Sequence, residues 1–135
     1  MTNKIVVVGS TNTDMVIHGK YFPKPGETVL GGGFFMNQGG KGANQAVASA
    51  RMGGQVSFIS RVGNDVFGEQ ALLSLKKEGI DTTHVIIDPN EPSGIAQIIV
   101  DDSGENSIVV APGANMRVSK DDIDSAMNLI YGSDI

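Results

Sequence analysis

A chain of 135 residues with 40% apolar and 19% charged side chains has the length and composition of one soluble globular domain. Ten basic against fifteen acidic residues, a formal net charge of −5, argue against a nucleic-acid surface, which concentrates Lys and Arg to displace counterions from phosphate. The absence of cysteine excludes disulfide frameworks, thiolate zinc sites and thiol nucleophiles and fits the cytoplasm. No apolar run approaches the ~18 residues of a membrane span or a secretion signal's h-region, so no membrane partner is expected.

Ile5 to Val8 is a continuous aliphatic run closed by Gly9, the pattern of a parallel strand buried on both faces. Asp14 to His18 is short and β-branched, Pro23 and Pro25 break the next stretch, and Glu27 to Met36 carries Thr, Val, Leu and Phe interrupted by Gly31, Gly32 and Gly33. This predicts a small excursion sheet with bends or bulges at the glycines. Ala43, Ala46, Val47 and Ala50 then fall at helical spacing, with Gly53-Gly54 as the stop. Gln55 to Ser60 reads as a second buried strand, Val66 to Gly79 as a helix and Thr83 to Ile87 as a further strand. Ile95 to Val100 and Ser107 to Ala111, joined by Asp101-Asp102-Ser103-Gly104-Glu105-Asn106, read as a hairpin. Ser119 to Asp122 resembles a capping box opening a helix to about Tyr131, after which Asp134-Ile135 begins an α-to-β connection. The order predicts one alternating α/β unit with an inserted β element, cut off before its topology is complete.

Two constellations could carry chemistry. Asn12 and Asp14 lie just past the first strand, where open α/β sheets bind ligands; a carboxylate and an amide suit neighbouring hydroxyls, although both residue types also serve ordinary turns. Gly39-Gly40-Lys41-Gly42-Ala43-Asn44 opens the first helix, and Lys41 and Asn44 share a face of it. Its glycines either admit a ligand to the backbone or only make a tight junction. A Walker A loop is excluded, because Phe35 and Gly42 stand where it needs Gly and Ser or Thr. A dinucleotide fingerprint is excluded as well, since Gly9-Ser10-Thr11-Asn12 lacks the glycine-rich turn, which sets aside a nucleotide-dependent oxidoreductase. Asp101-Asp102 reads as a solvated turn, Asp121-Asp122 as helix N-terminal electrostatics, and the six methionines as gap-filling core. His18 and His84 have no companions at ligand spacing, so no metal site is predicted.

The segments VVVGSTNTD, FPKPGETV, NQGGKGANQAVASARMG, RVGNDVFGEQ, PSGIAQIIVDDSGENSIVV and APGAN together resemble, in order and spacing, the ribokinase branch of the PfkB-type carbohydrate kinases. The resemblance implies a ribokinase-like three-layer Rossmann-like α/β fold with a β-sheet lid, the lid segments lying at about 14–36 and 94–111 and the chain ending before the C-terminal half. It implies substrate contacts from Asn12 and Asp14 to furanose hydroxyls, from the Gly40 backbone, and from Lys41 and Asn44, with Ala96 and Ile108 packing on the sugar's apolar face. Gly39 and Gly40 become candidate hinges for lid closure. The complete enzyme would transfer the γ-phosphoryl of ATP, with Mg2+ and a monovalent cation such as K+, to the 5-hydroxyl of D-ribose, and would dimerise through the lid. The family's second signature, with its catalytic base and anion hole, finds no match here. This chain alone is therefore expected to be catalytically silent, and its open sheet edge is expected to promote association. Another sugar or nucleoside kinase, or a non-catalytic module that binds or dimerises through the lid, are the alternatives.

Overall fold

The computed structural model describes residues 3–135. In chain order the elements are β1 (Lys4–Val8), β2 (Asn12–His18), β3 (Phe34–Gly39), α1 (Lys41–Arg51), β4 (Gln55–Gly63), α2 (Val66–Lys77), β5 (Val85–Asp88), β6 (Gly94–Val100) and β7 (Asn106–Ala111). A 3-10 turn at Gly113–Arg117 then leads to α3 (Lys120–Ser125) and α4 (Met127–Tyr131). Two sheets result. The first has the order β1-β4-β5 with all strands parallel; the second has the order β3-β2-β6-β7, parallel only between β2 and β6.

The core lies on one face of the first sheet. Alternation along β4 sends Val56, Phe58 and Val62 to that face, where they meet Ala43 and Ala46 of α1 and Ala71 and Leu75 of α2. Small residues on α1 let its axis approach closely; Ala46 and Phe58 have no exposed surface at all. The opposite face carries Ile59 and Arg61 and is covered by the 3-10 turn and α3, which completes three layers around the sheet. There Arg61 pairs with Asp122 through Nη2 at 2.8 Å and Nε at 2.8 Å, and with Asp88 through Nη1 at 2.9 Å. Asp122 also closes the capping box of Ser119, so the motif read from the sequence is present but carries an ion pair that adjacent-residue patterns do not reveal. The Arg61 bonds, followed by the Ser119 backbone N–H, hold the Asp122 carboxyl below the usual aspartate range.

Several predicted elements shift. The stretch 24–33 forms no ladder: Gly31 to Gly33 wrap around the end of β2, with Gly32 N donating to His18 O and His18 N to Gly33 O, so the strand begins only at Phe34. The helix expected from Ser119 to Tyr131 breaks at Ala126. Ser125 Oγ donates to Asp122 O at 2.7 Å, the carbonyl that Ala126 N–H would take in a continuous helix, and Ala126 N turns to Ile123 O instead. β1 is only partly buried, with Val8 49% exposed. Its even residues face away from β4, and there Asp134 N donates to Lys4 O and Val6 N to Ile135 O. Residues 134–135 thus lie along the edge of β1 opposite β4.

Replacing Asp122 by Ala is expected to lower unfolding free energy by roughly 2–3 kcal/mol, somewhat below the ~3–5 of fully buried pairs because Arg61 retains some solvent contact. An aspartate whose folded pKa is depressed stabilises at neutral pH and loses that contribution as pH falls through the folded value, so the gap between wild type and variant should narrow on acidification. Urea titrations at neutral and acid pH measure both. Ser60 Oγ, by contrast, is buried without a partner among the described residues. Ser60→Ala is expected to leave stability unchanged or raise it by up to about 1 kcal/mol, because an unpaired hydroxyl costs desolvation with no return.

Candidate functional site

The chain leaves β1 at Gly9 and enters the second sheet at Asn12, so the turn between them crosses from one sheet to the other. Thr11 is 3% exposed, and its backbone is held by a residue 104 positions away: Thr11 N donates to Asn115 Oδ1 at 2.9 Å, and Asn115 Nδ2 donates to Thr11 O at 3.0 Å. A third bond runs from Asn115 Nδ2 to Asn12 Oδ1 at 2.8 Å. Asn12 and Asp14, two residues apart on a strand, face the same side of the second sheet. In register with Asp14 lie Asn37 of β3 and Ala96 of β6, and next to Ala96 lies Val110 of β7.

Gly39 and Gly40 close the other side, each for its own reason. A Cβ at Gly39 would collide with the Asp14 carboxylate. Gly40 has φ +94°, in the left-handed region, and a Cβ there would stand 2.7 Å from Thr11 Cα and from Ser10 O. Helix α1 starts immediately afterwards, with Ala43 N donating to Ser10 O at 3.0 Å and no side chain capping the helix. Its first turn therefore directs positive dipole toward Asn12 and Asp14.

These elements enclose an open cleft of about 530 Å³. Its polar wall is Asn12, Asp14, Gly40, Lys41 and Asn44, five of the seven binding residues named from the resemblance; its apolar wall is Val110, Pro112 and Met116. Ala96 is 4% exposed and sits in the sheet between Asp14 and Val110 without lining the cleft. Ile108 lies across from Ile98, one strand repeat farther out, and is not part of the cleft. Val110, two residues on along the same face, lines the cleft instead. Asn115, Val110, Pro112 and Met116 escaped sequence reasoning; for Asn115 the only sequence signal was its place at the end of APGAN.

Burial raises the Asp14 carboxyl above the ordinary aspartate value of 3.8. An ionised carboxylate that has surrendered part of its hydration is a strong acceptor for hydroxyl donors, and the neighbouring helix N-terminus favours the charged form. Asp101 is a turn residue, accepting from Ser103 N, Ser103 Oγ and Glu105 N. His18 and His84 lie in different parts of the fold, and among the described residues no three acidic, His or Cys side chains cluster as a metal site. No described helix is long and apolar enough to cross a membrane.

A family model described as pfkB family carbohydrate kinase matches residues 2–133. The ribokinase of Haemophilus influenzae is 49% identical over 120 residues, covering 89% of this chain and 39% of that protein. The solved ribokinase of Giardia lamblia superposes with a TM-score of 0.89 at 36% identity, over 98% of this chain and 40% of that one. Arabidopsis thaliana ribokinase, solved in complex with ribose and ATP, gives a TM-score of 0.81 at 34% identity, over 95% and 43%. The chain thus spans about two fifths of the length of these relatives.

The close approach at the glycine pair makes a stability prediction. Gly40→Ala is expected to lower unfolding free energy by about 2 kcal/mol or more, combining left-handed strain with a collision on Thr11. Gly39→Ala should cost less, because the Asp14 side chain can swing aside. Paired denaturation curves check the ranking.

Proposed function

The chain belongs to the pfkB family of carbohydrate kinases, and from that membership and the cleft we propose that it is the sugar-binding part of an ATP-dependent kinase whose substrate is D-ribose, phosphorylated at the 5-hydroxyl. The observation that carries the reading is the cleft itself: a half-buried Asp14 and an amide at Asn12 project from one strand beside a glycine-lined helix start. Vicinal hydroxyls are both donors and acceptors, and a carboxylate with an amide meets both needs at adjacent oxygens. Val110, Pro112 and Met116 offer the apolar wall on which a sugar's C–H face packs.

Each residue then has a task. Asp14 accepts hydroxyl protons, Asn12 and Asn44 supply amide hydrogen bonds, the Gly40 backbone approaches the ligand without a side chain between, and Lys41 places a positive charge at the cleft edge. The second sheet is the lid, Gly39 and Gly40 act as its hinge, and closure excludes water as a competing nucleophile. Among the described residues no group of three or more His, Cys, Asp or Glu side chains could hold a metal ion, and no residue of the cleft is assigned to ATP, Mg2+ or a monovalent cation such as K+. We assign these, with the catalytic base, to residues beyond this chain, and derive no step through them. On this reading the 135 residues alone bind but do not phosphorylate.

We read the protein as cytoplasmic and as a homodimer through the second sheet. That sheet exposes Phe34 at 58%, Phe35 at 48% and Val109 at 71%, apolar surface of the kind that protein contacts cover. Another sugar kinase of the family would share Asp14 and differ in its apolar wall, so substrate profiling separates the two.

In the full-length kinase, Asp14→Ala is expected to cut kcat/KM for ribose about 100-fold or more, through the loss of charge-assisted hydrogen bonds. Retention of activity would overturn the reading. Because burial raises the Asp14 pKa, and the ionised form is the stronger acceptor for sugar hydroxyls, kcat/KM should fall with acidification starting at higher pH than an ordinary aspartate would give. Asp14→Asn should abolish that limb.

A further inference from the structure

The backbone of Thr11 dictates the orientation of two side-chain amides in succession. Its N–H can only donate and its carbonyl can only accept, so the facing amide of Asn115 must present Oδ1 to Thr11 N and Nδ2 to Thr11 O. The second N–H of that Nδ2 then points at Asn12 and needs an acceptor, which forces Asn12 to turn Oδ1 toward it. Asn12 Nδ2 is left with no acceptor among the described residues, on a side chain that lines the cleft.

We propose that Asn115 is a positioning residue: it lines the cleft yet has no N–H left to donate to a ligand, and it acts by locking Asn12 as a hydrogen-bond donor beside Asp14, an acceptor. The inference rests on the sugar-kinase reading and deepens it. The site then reads a ligand oxygen at Asn12 and a hydroxyl hydrogen at Asp14, a polarity suited to two neighbouring hydroxyls and unsuited to a group that can only donate at the first position. Without Asn115, the Asn12 amide can rotate by half a turn and present its oxygen instead, at nearly unchanged shape.

The test is a double-mutant cycle in the full-length kinase with D-ribose as substrate, using Asn115→Asp, Asn12→Ala and the pair. The aspartate is isosteric and can still accept from Thr11 N, but it has no donor for Asn12 Oδ1. Asn115→Asp is expected to raise KM about 10-fold or more with a smaller change in kcat, and to change KM by less than about 2-fold when Asn12 is already alanine. Equal effects in both backgrounds would mean that Asn115 only supports the fold, and no effect in the single variant would mean that Asn12 needs no orienting; either overturns the proposal. If the wild-type kinase leaves ribose unphosphorylated, the functional reading fails, and side-chain amide NMR still decides the inference. Both Asn115 amide protons should exchange slowly with water, and the Asn12 amide resonances should move in Asn115→Asp. Fast exchange in the wild type, or an unmoved Asn12, would overturn it.

Discussion

The fold and the site depend on how the chain crosses from one sheet to the other at Ser10 to Asn12. A strand end in an open α/β sheet normally passes into a loop and a helix, whereas here it must start a new sheet within three residues. Thr11 is consequently buried with a backbone N–H and carbonyl that no ladder pairs, and an unpaired buried amide is costly. Asn115 supplies both missing partners, acting as a one-residue substitute for a neighbouring strand. Gly40 packs on the same backbone, and α1 begins by donating from Ala43 to Ser10. Two segments remote in sequence, Gly40 to Ala43 and Asn115, therefore converge on one turn, and the cleft is the space their convergence leaves.

The two sheets differ in how firmly they are held. The first is clamped between helices, with Phe58, Ile59 and Val62 at most 1% exposed and Arg61 pinned by two carboxylates on its far face. The second is a single layer, and β7 is exposed along its whole length. Burial of apolar surface is the main source of rigidity, so the second sheet has the lower cost of displacement as a body. Its connection to the first sheet at Ser93 is polar and specific: Ser93 N and Oγ donate to Asp65, the N-cap of α2, while Gly63 N donates to Ser93 Oγ. Asn12 and Asp14 thus project from the more exposed sheet toward the start of α1, which packs on the firmly buried one.

Elements whose signals are local were legible in the sequence. Aliphatic runs marked β1, β4 and β6, the Ala spacing marked α1, Ser119 marked a helix start and the Asp101 turn joined its two strands as expected. The resemblance placed Asn12, Asp14, Gly40, Lys41 and Asn44 around what proved to be one cleft. Features that depend on register or on remote pairing were not legible. Ile108 and Val110 lie on the same strand face and differ only by one repeat, which periodicity cannot resolve. Asp122 looked like a dipole residue because its partner Arg61 lies 61 positions away, and the break at Ala126, where the Ser125 hydroxyl bonds the Asp122 carbonyl, leaves no mark on the apolar spacing.

The position of Asp14 involves a trade between stability and recognition. Among the described residues no hydrogen bond is donated to its carboxylate, and burial raises its pKa, so in the free protein the ionised side chain is less well solvated than it would be in water. Gly39 makes that arrangement possible by leaving room for the carboxylate, and any side chain there would push it out toward solvent. A ligand hydroxyl donating to Asp14 therefore restores an interaction that the fold has withheld, which strengthens binding relative to a carboxylate already satisfied by the protein. The same logic applies to the Asn12 amide, whose oxygen is used and whose nitrogen is left open. Between them the site presents one unmet acceptor and one unmet donor on a single strand, and a diol meets both at once.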